Sequence, residues 1–331
     1  MDIEYHYYIT YLIAITAGFS DHQAYKIAWS SQLVDNNKQK FDIYKFGRSK
    51  KITSDYIYQN IITQLSDINL STEESHKILP VFHFLPGNFN SVADKRKDNK
   101  THTLNTTPGS FIAKKILREA LKSRNMYRIG IASHSFVDTW AHQNFIGSCS
   151  KFNAMPEIDA KLLPNIGHLD AKNNPDLIGL IWHDNRLKNP MINNAKRFLS
   201  ASKSLLLEYS KSSIIQKNNK IDTNKFLQKL CSIFKLVKRR DSVIDTMYLQ
   251  SARIDKYQKL AEKYTTLDII PYDKDVWFND AVRFDKKKEK YIWRNESYKD
   301  SNWYQFQEAA KFQLEFIWKF IEKRLNVSYK F

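Results

Sequence analysis

The chain has 331 residues, 42% hydrophobic and 14% aromatic, enough apolar material to bury a substantial core and too much for a disordered chain. Its formal charge of +17 is uneven: residues 1–190 carry 23 Lys/Arg against 18 Asp/Glu, and residues 191–331 carry 29 against 17. Two cysteines, Cys149 and Cys231, exclude a disulfide framework and a cysteine-rich zinc site, and are compatible with a reducing compartment.

The opening MDIEYHYYIT lacks a positive n-region, a long apolar run and a small-residue cleavage site. A cytoplasmic location is therefore expected, with export by a non-classical route left open. No stretch approaches 18 uncharged apolar residues, so an ordinary transmembrane helix is not expected. Residues 4–17 predict an apolar helix stopped at Gly18, with His6 in its first turn. Ser20 is positioned to cap a second helix running to about Val34, with Ala24, Ile27, Ala28, Ser31 and Leu33 inward. Asp35 then stands at a helix end, free to point into a cleft. Over 40–83 the β-formers in 41–46, 56–58 and 81–84 predict a small hairpin or sheet, ended by Leu85-Pro86-Gly87.

Residues 88–108 read as a polar loop containing His102. Thr107-Pro108 is expected to open a helix to about Arg124, because proline suits the first helical position. A further helix follows Asn125, and 146–175 is irregular, with Gly167-His168-Leu169-Asp170 inside it. Beyond it, helices are expected over 176–186, 191–210, 222–237, 240–264 and 300–327. The segment 268–298, rich in Trp, Tyr and Lys, reads as loop or irregular strands. The expected architecture is mainly α, a multi-helix bundle with a small β insertion near 40–85. Residues 1–190 would form a metal-binding helical core, and 191–331 a basic helical extension packed on that same core as one domain.

Chemistry concentrates in the stretch from Ser133 to His142, which places His134, Asp138 and His142 at i, i+4 and i+8. On a helix these fall within an arc of roughly 80°, each about 6 Å along the axis from the next. Ile129, Ile131, Phe136, Val137, Trp140 and Phe145 leave the segment little polar surface, so a mostly buried helix is expected. Polar groups buried there need strong partners. Imidazole and carboxylate are the ligands that zinc takes, and a central Asp can offer one oxygen to each of two ions. His6, His83, His102 and His168 also fall in the first 170 residues, with Asp35 and Asp170 as further carboxylates. His22, His76 and His183 sit in polar contexts and are set aside as exposed.

The arrangement His…Asp…His…His-x3-Asp…His…His with a downstream carboxylate resembles the zinc-dependent phospholipase C and single-strand nuclease superfamily, over residues 1 to about 176. The opening MDIEYHYY, with HFLPG, DTWAHQNF and GHLDAKNNPDL, is also similar to an uncharacterised bacterial family related to that superfamily. The resemblance implies an all-α fold of zinc-dependent phospholipase C type holding three zinc ions. It makes Asp138 the bridging carboxylate, with His134, Asp35 and His83 at the first metal. His142 and His168 fall at the second metal and His6 at the third. The chain departs from the pattern in three places. Met1-Asp2 stands where secreted members have a processed, chelating Trp, so that Asp2 substitutes for it or the third metal is absent. The gap from Asp138 to His142 is short. The final His-x3-Glu is replaced by His168-x-Asp170, leaving Asp170 or Asp176 as the last carboxylate. His102 has no counterpart and is a candidate substrate contact or loop cap.

The expected function is metal-dependent hydrolysis of a phosphodiester, in a phospholipid or a nucleic acid. Two or three Zn²⁺ ions would serve it, iron or manganese not being excluded, with Asp35 and Asp138 catalytic. The basic half, with Trp277, Phe278, Tyr291, Trp293, Trp303 and Tyr304, could meet an anionic membrane surface or nucleic acid, or simply be core. The alternative is a non-catalytic, metal-stabilised helical protein, or an effector acting through its basic half.

Overall fold

In the computed structural model, residues 1–46, 52–66, 75–87, 95–155, 165–215, 221–235, 243–265 and 267–325 are described. The protein is mainly helical. A π-helical turn, Glu4–Ile9, runs into α1 (Thr10–Ala17), where Gly18 at φ 110° takes the left-handed cap. Ser20 and Gln23 close a reciprocal capping box at the start of α2 (Asp21–Asn36). Next come α3 (Ser75–Phe82), α4 (Phe111–Lys122), α5 (Met126–Ala141) and α6 (Asn194–Ser210). The last four helices are α7 (Thr223–Phe234), α8 (Val243–Ala261), α9 (Val276–Ala281) and α10 (Asn302–Leu325).

The α2–α5 pair is the most extensive helix packing in the fold, and its closeness has a local cause. A Cβ on Gly130 would stand 2.4 Å from the Ile27 carbonyl oxygen and 2.6 Å from Ser30 Cβ, so only glycine allows this approach. One turn further along α5, the approach brings His134 Nδ1 to 2.8 Å from the Ser31 carbonyl. Every residue of α5 from Ile129 to Ala141 is buried, as the apolar content of the segment predicts.

Four strands form one sheet in the order β2-β1-β6-β5: β1 (Asp42–Phe46), β2 (Ile52–Gln59), β5 (Val282–Asp285) and β6 (Lys290–Trp293). The β1–β2 and β5–β6 pairs are antiparallel, while β1 and β6 run parallel, with Ile43 opposite Tyr291. A second hairpin pairs β3 (Ile181–His183) with β4 (Met191–Asn193). Residues from both sides of position 190 enter one hydrophobic core. Trp277, Trp293 and Trp303 are buried in it, with Phe278, Tyr291 and Tyr304 packed against it. None of the described helices is long and apolar enough to cross a membrane.

Four segments differ from the sequence expectation. Residues 81–84 are not a strand: Val81 and Phe82 end α3, and His83 N–H still bonds the Leu79 carbonyl. A short apolar run suits helix or strand equally, and here Ile78, Leu79, Val81 and Phe82 are all buried in the helical arrangement. The first helix after the polar loop begins at Phe111 rather than at Pro108, because Ser110 caps it and Gly109 turns at φ 55°. Residues 176–186 are turns leading into β3 rather than a helix; Asn194 Nδ2 holds the turn by donating to the Asn174 and Leu177 carbonyls. The sheet, lastly, is completed from the C-terminal half rather than confined to 40–85.

Glu208 of α6 accepts two hydrogen bonds from Arg118 of α4, which hold its carboxyl below the ordinary range near 4.5. A lowered folded-state value means stability present above about 4.5 and lost as pH falls through the folded value. Arg118→Gln should therefore flatten the acid limb of an unfolding-versus-pH curve. An unchanged limb would show that the pair contributes nothing there.

Candidate metal centre

Seven side chains converge on one cluster at the base of a cavity: His6 from the π-helical turn, Asp35 at the end of α2, His83 just after α3, His134 and Asp138 on α5, His142 at its C-cap, and His168. An eighth, Asp176, joins them. The cavity is about 430 Å³, and Asp35, His83, His142, His168 and Asp176 line it, with Lys38, Gln64, Ser66 and Asn173 toward its mouth. Asp35, at 22% exposed, is the most open of the converging carboxylates, whereas Asp138 is fully buried.

The histidines are oriented by backbone carbonyls. His83 Nε2 lies 2.9 Å from the Thr63 oxygen, His134 Nδ1 2.8 Å from that of Ser31, His142 Nδ1 2.8 Å from that of His83, and His168 Nδ1 2.8 Å from that of Lys172. A carbonyl oxygen only accepts, so each of these four nitrogens carries the proton. In the neutral ring the other nitrogen then bears a lone pair, and in all four it turns toward the other donors of the cluster. His83 Nδ1 and His134 Nε2 face each other at 3.1 Å; His142 Nε2 and His168 Nε2 face Asp176 at 3.0 and 3.2 Å. Acceptors directed at acceptors repel unless a cation or a proton lies between them. A carbonyl fixing the outer nitrogen of a ring is the support that metal-binding histidines usually have.

Burial disfavours the proton. It pushes His6 down to about 4 and lowers His142 as well. At His168 burial is outweighed by Asp176, and the ring is raised. Burial alone would raise Asp138 and Asp176 too, but the Met1 ammonium and the adjacent rings hold both well below the carboxylate range. His6 Nε2 and Asp138 Oδ2 are buried and make no hydrogen bond, which is costly unless something else satisfies them.

The residues group as His6, His134, Asp138; Asp35, His83, His134; and His142, His168, Asp176, with ligand atoms in each group within 4.8 Å of one another. Each group can hold a metal ion. A tetrahedral site with bonds near 2.0–2.1 Å has edges of about 3.3 Å. Among His83 Nδ1, His134 Nε2, Asp138 Oδ2 and Asp35 Oδ1, the separations that involve a histidine run from 3.1 to 3.8 Å. The other oxygen of Asp138 faces a different set, His6 Nε2 at 3.1 Å and the Met1 amino nitrogen at 2.6 Å. The two oxygens of one carboxylate thus look toward two groups of donors.

Three sequence candidates fall elsewhere. Asp170 is buried, but its Oδ2 accepts the Met155 N–H at 3.2 Å; the carboxylate at the site is Asp176. His102 does not line the cavity: its Nδ1 accepts the Leu104 N–H and its ring packs on Phe152, so it caps the loop. Asp2 accepts from the Glu4 N–H and from Gln250, while the Met1 amino nitrogen lies 3.1 Å from Asp176. Sequence reasoning also passed over Thr63, Ser31 and Lys172, whose carbonyls orient rings; a carbonyl leaves no residue-type signal. Gly167, at φ 54° beside His168, is needed because a Cβ there would meet Phe84 at 2.7 Å, and Phe84 stacks on His142.

Asp176→Asn should remove metal from the His142/His168 group, whereas Asp170→Asn should leave metal content unchanged. Metal analysis of the two purified variants decides it; loss in the Asp170 variant alone would reverse the assignment.

The fold and site define a mainly helical protein in which buried His/Asp clusters can hold metal ions. The chain belongs to a family of unknown function (DUF6765), whose model matches residues 1–321. No curated protein and no solved structure matches it.

Proposed function

We infer that the protein is a metal-dependent hydrolase of phosphodiester bonds, working at a two- or three-metal His/Asp site of zinc-dependent phospholipase C type. The carrying observation is the set of four histidines, each anchored through one nitrogen and turning a lone pair toward carboxylates, around an Asp138 whose oxygens face two donor sets. All-imidazole and carboxylate donors suit Zn²⁺, and iron or manganese are the alternatives. When bound, the ions supply Lewis acidity that polarises a phosphoryl oxygen and acidifies water.

The chain's own residues supply the rest. His6, His83, His134, His142 and His168 supply the imidazole donors: burial disfavours the proton on His6 and His142, and backbone carbonyls tie down the outer nitrogens of His83, His134, His142 and His168. Asp138 joins two donor groups, and Asp35, beside the cavity and partly exposed, is placed to orient or deprotonate a water. Lys38, exposed at the mouth, favours entry of an anionic ester. An open cavity against the ligands favours catalysis over a purely structural site, which would be closed.

The test combines elemental analysis of the native protein with turnover of a panel: a phosphatidylcholine, a single-stranded oligonucleotide and bis(p-nitrophenyl) phosphate. Activity on at least one, abolished by chelator and restored by Zn²⁺, is expected. Full metal content with no turnover of any would favour the non-catalytic, metal-stabilised reading.

A further inference from the structure

Far from the metal residues in sequence, α7 and α8 enclose a groove of about 380 Å³. Its rim carries Lys229 from α7 and Lys256, Lys259 and Lys263 from α8 and the turn after it; Ile233 and Leu260 form an apolar floor. Lys256 and Lys259 lie on one face of α8, and Lys263, in the turn after it, continues the i, i+3, i+7 spacing. All four lysines are exposed, and none pairs with a carboxylate among the described residues. Asp255 and Glu262 fall roughly a quarter turn round the helix from that row.

Immediately beyond Lys263 the chain leaves two large aliphatic side chains in water: Leu267 is 58% exposed and Ile270 56%. Four residues of chain span at most about 14 Å, so Leu267 lies beside the lysine groove. This loop is fastened to the body of the protein. Tyr7 Oη donates to the Ile270 carbonyl, and Tyr272 Oη donates to Asn36 Oδ1 at the end of α2, next to Asp35. The loop that carries the exposed aliphatic pair therefore runs from the lysine groove to a tether at the end of α2.

We propose that this face, the lysine rim of α7 and α8 with the Leu267/Ile270 loop, docks on an anionic lipid bilayer. Lysines near such a surface meet a negative potential, and exposed aliphatic tips gain by leaving water at the headgroup boundary. Single-stranded nucleic acid fits less well, because its grooves combine cations with aromatic platforms and, among the described residues, no aromatic side chain lines this one. The proposal does not depend on the metal chemistry, since docking is read without an activity assay.

Cosedimentation of the intact protein with vesicles tests it. Vesicles of equal parts phosphatidylglycerol and phosphatidylcholine should capture the protein, pure phosphatidylcholine should not, and capture should weaken as NaCl rises from about 0.1 to about 0.5 M. The triple variant Lys256→Gln/Lys259→Gln/Lys263→Gln should bind at least about tenfold more weakly, at an unchanged melting temperature. Lys122→Gln, an exposed cation on α4, is the control. Leu267→Ser/Ile270→Ser should also weaken capture while leaving binding of free tripolyphosphate as in the parent. Capture equal on neutral and anionic vesicles, or unchanged in the lysine triple, overturns the proposal. It fails equally if the aliphatic pair proves irrelevant to capture, which would make the groove a site for a free anion. Loss of oligonucleotide binding in the triple with vesicle capture intact would make it a nucleic-acid surface instead.

Discussion

Asp138→Asn is expected to lose metal from two donor groups at once, to lose the phosphodiesterase activity proposed above, and to melt well below the parent in zinc-replete buffer. The amide preserves volume but removes the charge that both oxygens share. It also turns an N–H₂ toward either the Met1 ammonium, 2.6 Å from Oδ1, or His134 Nε2, 3.2 Å from Oδ2. Every histidine except His134 belongs to one group only, so its loss should be milder. Metal that binds only the folded chain contributes about 4 kcal/mol of stability at a thousandfold excess over Kd, so much of the effect should appear as thermal stability. Chelator should bring the parent's Tm down toward that of the variant. His22→Gln, exposed on α2, should change neither metal content nor Tm. Full metal stoichiometry in Asp138→Asn would sink the reading of this carboxylate as shared.

The second large effect is expected at the pair that holds the N-terminal turn in place. Arg253 of α8 donates to both oxygens of Glu4 at 2.7 and 2.8 Å, both side chains are buried, and Tyr257 Oη adds a third hydrogen bond. Burial raises the Glu4 carboxyl, and Arg253 works against that shift. Arg253→Met leaves a buried carboxylate without its cation and should cost roughly 3–5 kcal/mol. Adding Glu4→Gln should recover part of the loss, because the uncompensated charge is gone. The turn also carries Met1 and His6 to Asp138, so the single variant should bind less metal at the His6 group, read by elemental analysis. If denaturant melts of single and double variants show no coupling, the pair is not what anchors the turn.

Where the sequence was informative, a short-range period carried the information. His134-x3-Asp138-x3-His142 declares one helical face whatever surrounds it, and the apolar residues between them declare that the face is buried. Gly18 and Ser20 mark helix ends through local backbone chemistry, and both ends stand where expected. The charge excess of residues 191–331 is likewise a property of composition alone.

What only the tertiary structure decided involves partners distant along the chain. Residues 81–84 are apolar and aromatic enough for a strand, and α3 exists because its buried side chains pack between α5 and α10. No local signal couples β1 to β6, whose partners Ile43 and Tyr291 are 248 residues apart, and the sheet depends on that pairing. The choice between Asp170 and Asp176 also lay beyond spacing, since residues 165–180 are turns around one short 3-10 helix, Leu169–Ala171, with no sustained period. It was made by the Met155 N–H, which engages Asp170, and by His142 and His168, which meet Asp176. Ligand types could be read from a linear pattern. Which nitrogen of each ring faces the cluster could not, because it depends on carbonyls of Ser31, Thr63, His83 and Lys172 that only folding brings into reach.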